Sequence, residues 1–325
     1  MMRVAVTRRI FPELIEGLRA DFELVDNQSD ATWTPKELHA ALADADGALL
    51  TSGERIDDAV LTQSPRLKVV SNVAVGYNNL DLAACTRHGV LATNTPDVLN
   101  EAVADHAWAL LLAAARRVGE SERWLRAGLW KRWTFDMYLG AEVSGTTLGI
   151  LGMGRIGRAI ARRAAGFGMK VIYHNRSAVP PELAEGARGV TLTELLQQSD
   201  HLILVVPYTT AAHHLIDGGA LAEMKRTAVL VNIARGGIVD DAALVAALRE
   251  GRIAAAGLDV YENEPALHPG LLELENVVLT PHIASATRAT RQAMAQLAIR
   301  NLRAALAGEV PPSLLNPEAL DHRRR

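Results

Sequence analysis

The chain has a single cysteine among 325 residues, so no intramolecular disulfide is available. Cys85, set in Ala-Ala-Cys-Thr without an activating neighbour, is expected to be a small buried hydrophobe rather than a nucleophile. No apolar run approaches the roughly 20 residues that span a bilayer. At the amino end Arg3-Val4-Ala5-Val6-Thr7 already reads as a strand, with no apolar leader or small-residue cleavage site. A cytoplasmic protein with no membrane partner is therefore expected. There is also no excess of one charge. The 34 basic and 37 acidic side chains are spread along the chain, so the basic stripe that a phosphate backbone needs is missing and nucleic acid is not an expected partner. The one basic run, His322-Arg323-Arg324-Arg325, is expected to be a solvated tail. Glycine and proline show no period, and there is neither a repeat nor a low-complexity segment, which excludes fibrous and disordered classes.

What is present is an alternation. Short β-branched runs separated by helical patterns point to parallel α/β sheets covered on both faces, and 325 residues exceed what one core usually serves. A first set of strands is expected at Val4 to Thr7, Phe22 to Val25, Gly47 to Thr51, Leu67 to Ser71 and Val90 to Ala92. From Glu101 to about Ala127 apolar residues recur at helical spacing, which predicts one long helix, capped by Asn100, with one face free for a partner subunit. A second set of six strands follows: Thr147 to Leu151, Lys170 to His174, His201 to Val206, Ala228 to Asn232, Ala254 to Leu258 and Val277 to Thr280. The helical segment Ser285 to Gly308 has no strand of its own to cover and is expected to return to the first domain. The expectation is two doubly wound parallel-sheet domains. A Rossmann dinucleotide-binding domain (101–283) is inserted into a flavodoxin-like substrate domain (1–100 plus 284–325), with a cleft between them.

Leu148-Gly149-Ile150-Leu151-Gly152-Met153-Gly154-Arg155-Ile156-Gly157 places Gly-x-Gly-x-x-Gly after an apolar strand and before a helix. Gly152 suits a tight turn, Gly154 a close backbone approach to pyrophosphate, and Gly157 close helix–strand packing; Arg155 and Ile156 are expected to touch the cofactor from this loop, and a helix expected at Arg158 to Gly166 would meet the phosphate charge with the free N–H groups of its N-terminus. In NAD sites a carboxylate closes the next strand and takes the ribose hydroxyls. Here Asn175-Arg176-Ser177 stands there instead, and a guanidinium and a hydroxyl suit a 2′-phosphate, so NADP is expected, with NAD as the alternative. Nothing in the spacing of ligating residues suggests a metal.

Four charged groups follow strands of the second set: Arg235, Asp259, Glu264 and His282. A cation, carboxylates and an imidazole at one rim of a dinucleotide-binding sheet are what hydride transfer to a keto acid requires. Arg235 would hold the substrate carboxylate and polarise its carbonyl, His282 would deliver the proton, and Glu264 would orient the imidazole and favour its charged form. His213-His214 reads as the start of a solvated helix.

Together with Leu230-Val-Asn-Ile-Ala-Arg-Gly-Gly-Ile-Val-Asp240, Gly257-Leu-Asp-Val-Tyr-Glu-Asn-Glu-Pro265 and Pro281-His-Ile-Ala-Ser-Ala-Thr287, the glycine segment resembles the D-isomer-specific 2-hydroxyacid dehydrogenase family over nearly the whole chain. The resemblance implies a homodimer built around the long helix and a 2-keto or 2-hydroxy acid substrate. It also implies backbone N–H groups of Val75 and Gly76 for the substrate carboxylate, and Asp259 near the nicotinamide carboxamide. The Ala284-Ser-Ala-Thr287 ending and the Asn-Arg-Ser loop are most similar to the glyoxylate/hydroxypyruvate and 2-ketogluconate reductase branch. Formate dehydrogenases pair their His with Gln where this chain has Glu264, and phosphite dehydrogenases carry Lys where Val75 stands. Where mammalian-type reductases place a Trp after the long helix, this chain has Met137 or Tyr138. The alternatives are a 2-ketogluconate or D-lactate-type reductase using the same residues, and a dinucleotide-sensing corepressor.

Overall fold

The computed structural model describes residues 1–324. The chain forms two units, one made of Met1–Leu99 with the chain from Thr287 onward, the other of Asn100–Ala286.

In the first unit β1 (Arg3–Val6), β2 (Glu23–Asp26), β3 (Gly47–Leu50), β4 (Val69–Asn72) and β5 (Leu91–Thr93) form a parallel sheet of order β2-β1-β3-β4-β5. This is the flavodoxin-like order. β3 and β4 are buried on both faces, as their continuous apolar runs require. One covering element is the returning helix Arg288–Leu306, capped by Thr287, whose Leu302 and Ala298 are fully buried. Gly47 admits it, since a Cβ there would collide with the Leu302 side chain, and Ser71 Oγ donates to Ala298 O at 2.8 Å. Cys85 is fully buried, and burial pushes its thiol up to about 12, the inert state expected of it. The basic tail departs from expectation: Arg324 donates to the carbonyls of Ser64 and Leu67 and its N–H to Gly89 O. The Ser64 and Leu67 carbonyls, with Leu61 O at 3.4 Å, draw the guanidinium in. Arg325 lies outside the described residues.

The second unit holds β6 (Thr147–Leu151), β7 (Lys170–His174), β8 (Arg188–Gly189), β9 (His201–Leu204), β10 (Val229–Asn232), β11 (Ala255–Leu258) and β12 (Val277–Leu279). They form a parallel sheet of order β12-β11-β10-β9-β6-β7-β8, a Rossmann sheet with one strand added at the far edge. That is seven strands rather than six. β8 is two exposed residues paired with Ile172 and Tyr173, too short to carry an apolar pattern.

The long helix is also two helices, Asn100–Ala115 and Val118–Arg126, broken where Arg117 takes a left-handed φ of 54°. One face of the first stays exposed, at Glu101, Asp105, Ala109 and, just past its end, Arg116, and the other is buried. Val103, Ala107, Leu110, Leu111 and Ala114 are buried against its own unit, and the exposed Glu101 and Asp105 pair with Arg162 and Arg163. Gly257 lets it approach β11, because a Cβ there would meet Leu110. The exposed apolar surface lies further on, at Leu125, Leu129, Trp130, Trp133, Phe135 and Leu139. Among the described residues no helix is long and apolar enough to cross a membrane.

Candidate active site

The glycine loop leaves β6 at Gly152, whose φ of 106° and N–H to His174 O at 3.0 Å make the turn that only glycine adopts without strain. A Cβ on Gly157 would strike the Gly152 carbonyl oxygen, so the helix Arg155–Ala164 packs onto β6 only with glycine there. Gly154, by contrast, is exposed with open space where a Cβ would be. It caps that helix without a side-chain acceptor, so the first-turn N–H groups at Arg155, Ile156 and Gly157 present positive charge to an anion. These three observations fit a dinucleotide pyrophosphate.

Asn175 ends β7 and turns back: its Oδ1 accepts Met153 N–H at 3.2 Å and its Nδ2 donates to Ser177 O at 3.0 Å. The side chain that stands where a carboxylate would take the ribose therefore braces the glycine loop. Arg176 and Ser177 are exposed beside it.

The chemical groups stand at the carboxyl ends of β10, β11 and β12. Asn232, buried at the end of β10, shapes the Arg235 loop by accepting Ala234 N–H at 3.1 Å and donating to Arg235 O at 3.2 Å. Arg235 itself is half-buried, and burial lowers its guanidinium against the opposing pull of Glu264. His282 takes a left-handed φ of 53°, with its N–H donating to Asp259 O at 2.9 Å. Its Nδ1 lies 2.7 Å from Glu264 Oε2, and Glu264 Oε1 accepts Tyr261 N–H at 2.9 Å. Burial would raise the Glu264 carboxyl. The hydrogen bonds from His282 and Tyr261 N–H, with the charges of His282 and Arg235, outweigh it and hold the carboxyl below its ordinary range.

Asp259 is fully buried and its oxygens are committed: to Thr280 Oγ1 at 2.7 Å, and to the N–H groups of Ile283 and Ala284, both at 2.8 Å. It braces the loop that carries His282. Three contacts, made by His106 and Tyr261, were not anticipated from the sequence. His106 Nε2 lies 3.3 Å from Asp259 Oδ1 and 3.0 Å from Thr280 Oγ1, and Tyr261 OH lies 2.9 Å from Thr280 O. A signal existed for His106, which falls on the buried stripe of its helix, one turn before Leu110. His213 and His214 do not begin a helix. They follow the single turn Thr210–Ala212, and His214 Nε2 pairs with Glu262 Oε1 at 2.7 Å.

In the other unit, the Val75–Gly76 turn follows β4. Asn94 Nδ2 donates to Val75 O at 2.8 Å and Asn72 Nδ2 to Gly76 O at 2.9 Å. Both carbonyls are tied back by buried amides, and among the described residues neither N–H is spent on a backbone partner.

A recess of about 950 Å³ lies on the opposite rim of the second unit's sheet. It is lined by Arg117, Leu139, His201, Arg249 and Val277 near the amino ends of the strands, away from the groups just described.

Residues 108–284 match the family model of the D-isomer specific 2-hydroxyacid dehydrogenase, NAD binding domain. A glyoxylate reductase of Thermococcus onnurineus is 50% identical over 327 residues, covering 99% of this chain and 98% of its own. One from Aeropyrum pernix is 49% identical with the same coverage. Among solved structures, the NADPH-dependent glyoxylate/hydroxypyruvate reductase of Sinorhizobium meliloti, in complex with NADP and malonate, is 37% identical with a TM-score of 0.86, covering 100% of this chain and 99% of that one. A glyoxylate reductase from Paecilomyes thermophila is 36% identical with a TM-score of 0.87, covering 98% of each.

Proposed function

The chain belongs to the D-isomer specific 2-hydroxyacid dehydrogenase family, an oxidoreductase that reduces 2-keto acids with a nicotinamide dinucleotide, and we propose that its substrates are glyoxylate and hydroxypyruvate and that its preferred cofactor is NADP. The observation that carries the reading is the 2.7 Å contact of His282 Nδ1 with Glu264, beside Arg235, at the rim of the sheet that also bears the glycine loop. The bound dinucleotide supplies the hydride to the substrate's carbonyl carbon. Arg235 binds the substrate carboxylate as a planar fork and stabilises charge on the carbonyl oxygen. His282 gives its proton to that oxygen, and Glu264 holds the ring and favours its charged form. Asp259, sharing its oxygens with the His282 loop, would face the nicotinamide of a bound cofactor, and the discontinuous unit would be the substrate domain, its Val75 and Gly76 N–H groups offered to a substrate carboxylate. The test follows loss of reduced nicotinamide absorbance with NADPH and NADH across a panel of 2-keto acids. Turnover fastest with glyoxylate or hydroxypyruvate supports the reading. Preference for 2-ketogluconate or pyruvate replaces the substrate, and no turnover with any acid favours a dinucleotide-sensing role.

NADP preference rests on the exposed Arg176 and Ser177 at the end of β7 and on the missing carboxylate there. The chain also works as a homodimer on this reading. Phe135 is 87% exposed and five other large apolar side chains between Leu125 and Leu139 are exposed with it, a continuous segment that a second copy would cover. Trp133→Asp with Phe135→Asp should yield a monomer in sedimentation experiments, and an unchanged dimer would place the interface elsewhere. A cytoplasmic setting suits the lone buried thiol.

A further inference from the structure

Two histidines unused by the chemistry above lie at the same rim of the sheet. His214 has a left-handed φ of 50°, fixed by its N–H donating to Gly237 O at 2.7 Å, and its ring stacks on that of His213 with centroids 3.9 Å apart. A ring nitrogen from each and a carboxylate oxygen of Glu262 all lie within 4.8 Å of one another. His213 is exposed and the other two are half-buried, so the group is open to solvent.

A polar group lies near Nδ1 of each ring. Tyr208 OH lies 3.2 Å from His213 Nδ1, and Asp240 Oδ2 lies 3.8 Å from His214 Nδ1. An outer partner on the nitrogen that does not bind the ion commonly orients a ligating histidine. The surroundings are anionic: Asp240 is joined by Asp241, whose carboxylate accepts Glu262 N–H at 3.1 Å. No cation of the chain is hydrogen-bonded or ion-paired to Glu262 among the described residues other than His214 itself.

We propose that His213, His214 and Glu262 form a binding site for a borderline transition-metal dication such as Zn²⁺. Two imidazoles and one carboxylate suit such an ion, whereas Mg²⁺ and Ca²⁺ call for oxygen donors. Metal–ligand bonds of about 2.0–2.2 Å require the three donors to close around a common centre, the two stacked rings to rotate so that their in-plane lone pairs converge, and the direct His214–Glu262 hydrogen bond to give way to the ion. The ion would join the loop after β9, which carries both histidines, to the loop after β11, two residues before Glu264. Through the His214 N–H bond to Gly237 it would also hold the loop that carries Arg235. The proposal is independent of the substrate and cofactor assignments.

The test is calorimetric titration of the metal-free full chain with Zn²⁺ alone. One site per chain is expected, with a dissociation constant of roughly micromolar order. His213→Ala and Glu262→Gln should each weaken it at least about a hundredfold, and Tyr208→Phe, which removes the hydroxyl beside His213 Nδ1, about tenfold. Mg²⁺ should give no saturable heat. The proposal is overturned if Zn²⁺ shows no saturation up to about 1 mM, if binding survives both ligand substitutions, or if Mg²⁺ binds as tightly. Because His213 is exposed, His213→Ala keeps the test decisive if Glu262→Gln fails to fold. A second readout is thermal stability, where Zn²⁺ should raise the melting temperature of the wild type and not of His213→Ala.

Discussion

Two histidine–glutamate pairs of the same length, 2.7 Å, sit on one rim of the same sheet, and their glutamates are two residues apart in the loop after β11. Distance does not separate them; their company does. Glu264 feels Arg235 as well as His282 and is held below its ordinary range against the effect of burial. Glu262 has Asp240 and Asp241 as neighbours, and burial, with the Glu262 charge adding, pushes the Asp241 carboxyl up. A pair beside a cation is suited to an anionic substrate and a proton to give. A pair beside further carboxylates is suited to a cation. A His–Glu contact therefore acquires its chemistry from the sign of the charge around it.

The comparison breaks most visibly at the imidazoles. His282→Gln should lower kcat by about 10²–10⁴, the range for loss of a general acid, while His214→Gln should cost far less in steady-state assays. Equal losses would erase the distinction. Arg235→Ala should lower kcat/KM by about 10²–10³, with Lys rescuing poorly because it lacks the planar fork. Values within threefold of wild type, roughly 0.6 kcal/mol, would remove Arg235 from the site.

The cofactor loop gives a control away from both pairs. Wild-type enzyme should favour NADPH over NADH by about ten- to a hundredfold in kcat/KM, and Asn175→Asp with Arg176→Ala should reverse that. Equal use of both cofactors by the wild type would refute the assignment while leaving the His282 chemistry intact.

Acid sharpens the comparison further. Because the folded-state Glu264 pKa lies below its unfolded value of about 4.3, its contribution to stability is complete above that value and disappears as pH falls through the folded one. Glu264→Gln should be less stable than wild type in urea at neutral pH, with the gap closing on acidification below about pH 4. A gap that stays constant would dissociate Glu264 from its partners. The smallest effect is expected for His214→Gln in the metal-free protein, about 1 kcal/mol for one partly solvated hydrogen bond.

Strand positions were legible because parallel buried strands are written as runs of apolar residues, as in Val229–Asn232. The break at Arg117 was not, since helical spacing of apolar residues continues across it and a left-handed arginine leaves no mark in the sequence. Arg235, Glu264 and His282 could be picked out because each follows a strand end within a recognisable motif. His214 could not, because its partner Glu262 is 48 residues away and is met only through the sheet. Asn175 was read for its missing charge, and its hydrogen bond back to Met153 is a matter of rotamer that the sequence does not encode. The packing of Arg324 was hidden for a similar reason: its acceptors are carbonyls, which every residue has.

The strand order has an evolutionary consequence. Between β7, which leads to Asn175 and Arg176, and β10, which leads to Arg235, the sheet interposes β6 and β9. Three strand spacings come to about 14 Å, beyond the range over which side-chain substitutions usually couple. Exchanges of dinucleotide preference and exchanges of substrate should therefore combine additively, and each can be inherited, lost or regained without renegotiating the other. A lineage built on this sheet can follow a change in which reduced dinucleotide its cell keeps abundant while its proton and carboxylate chemistry stays fixed.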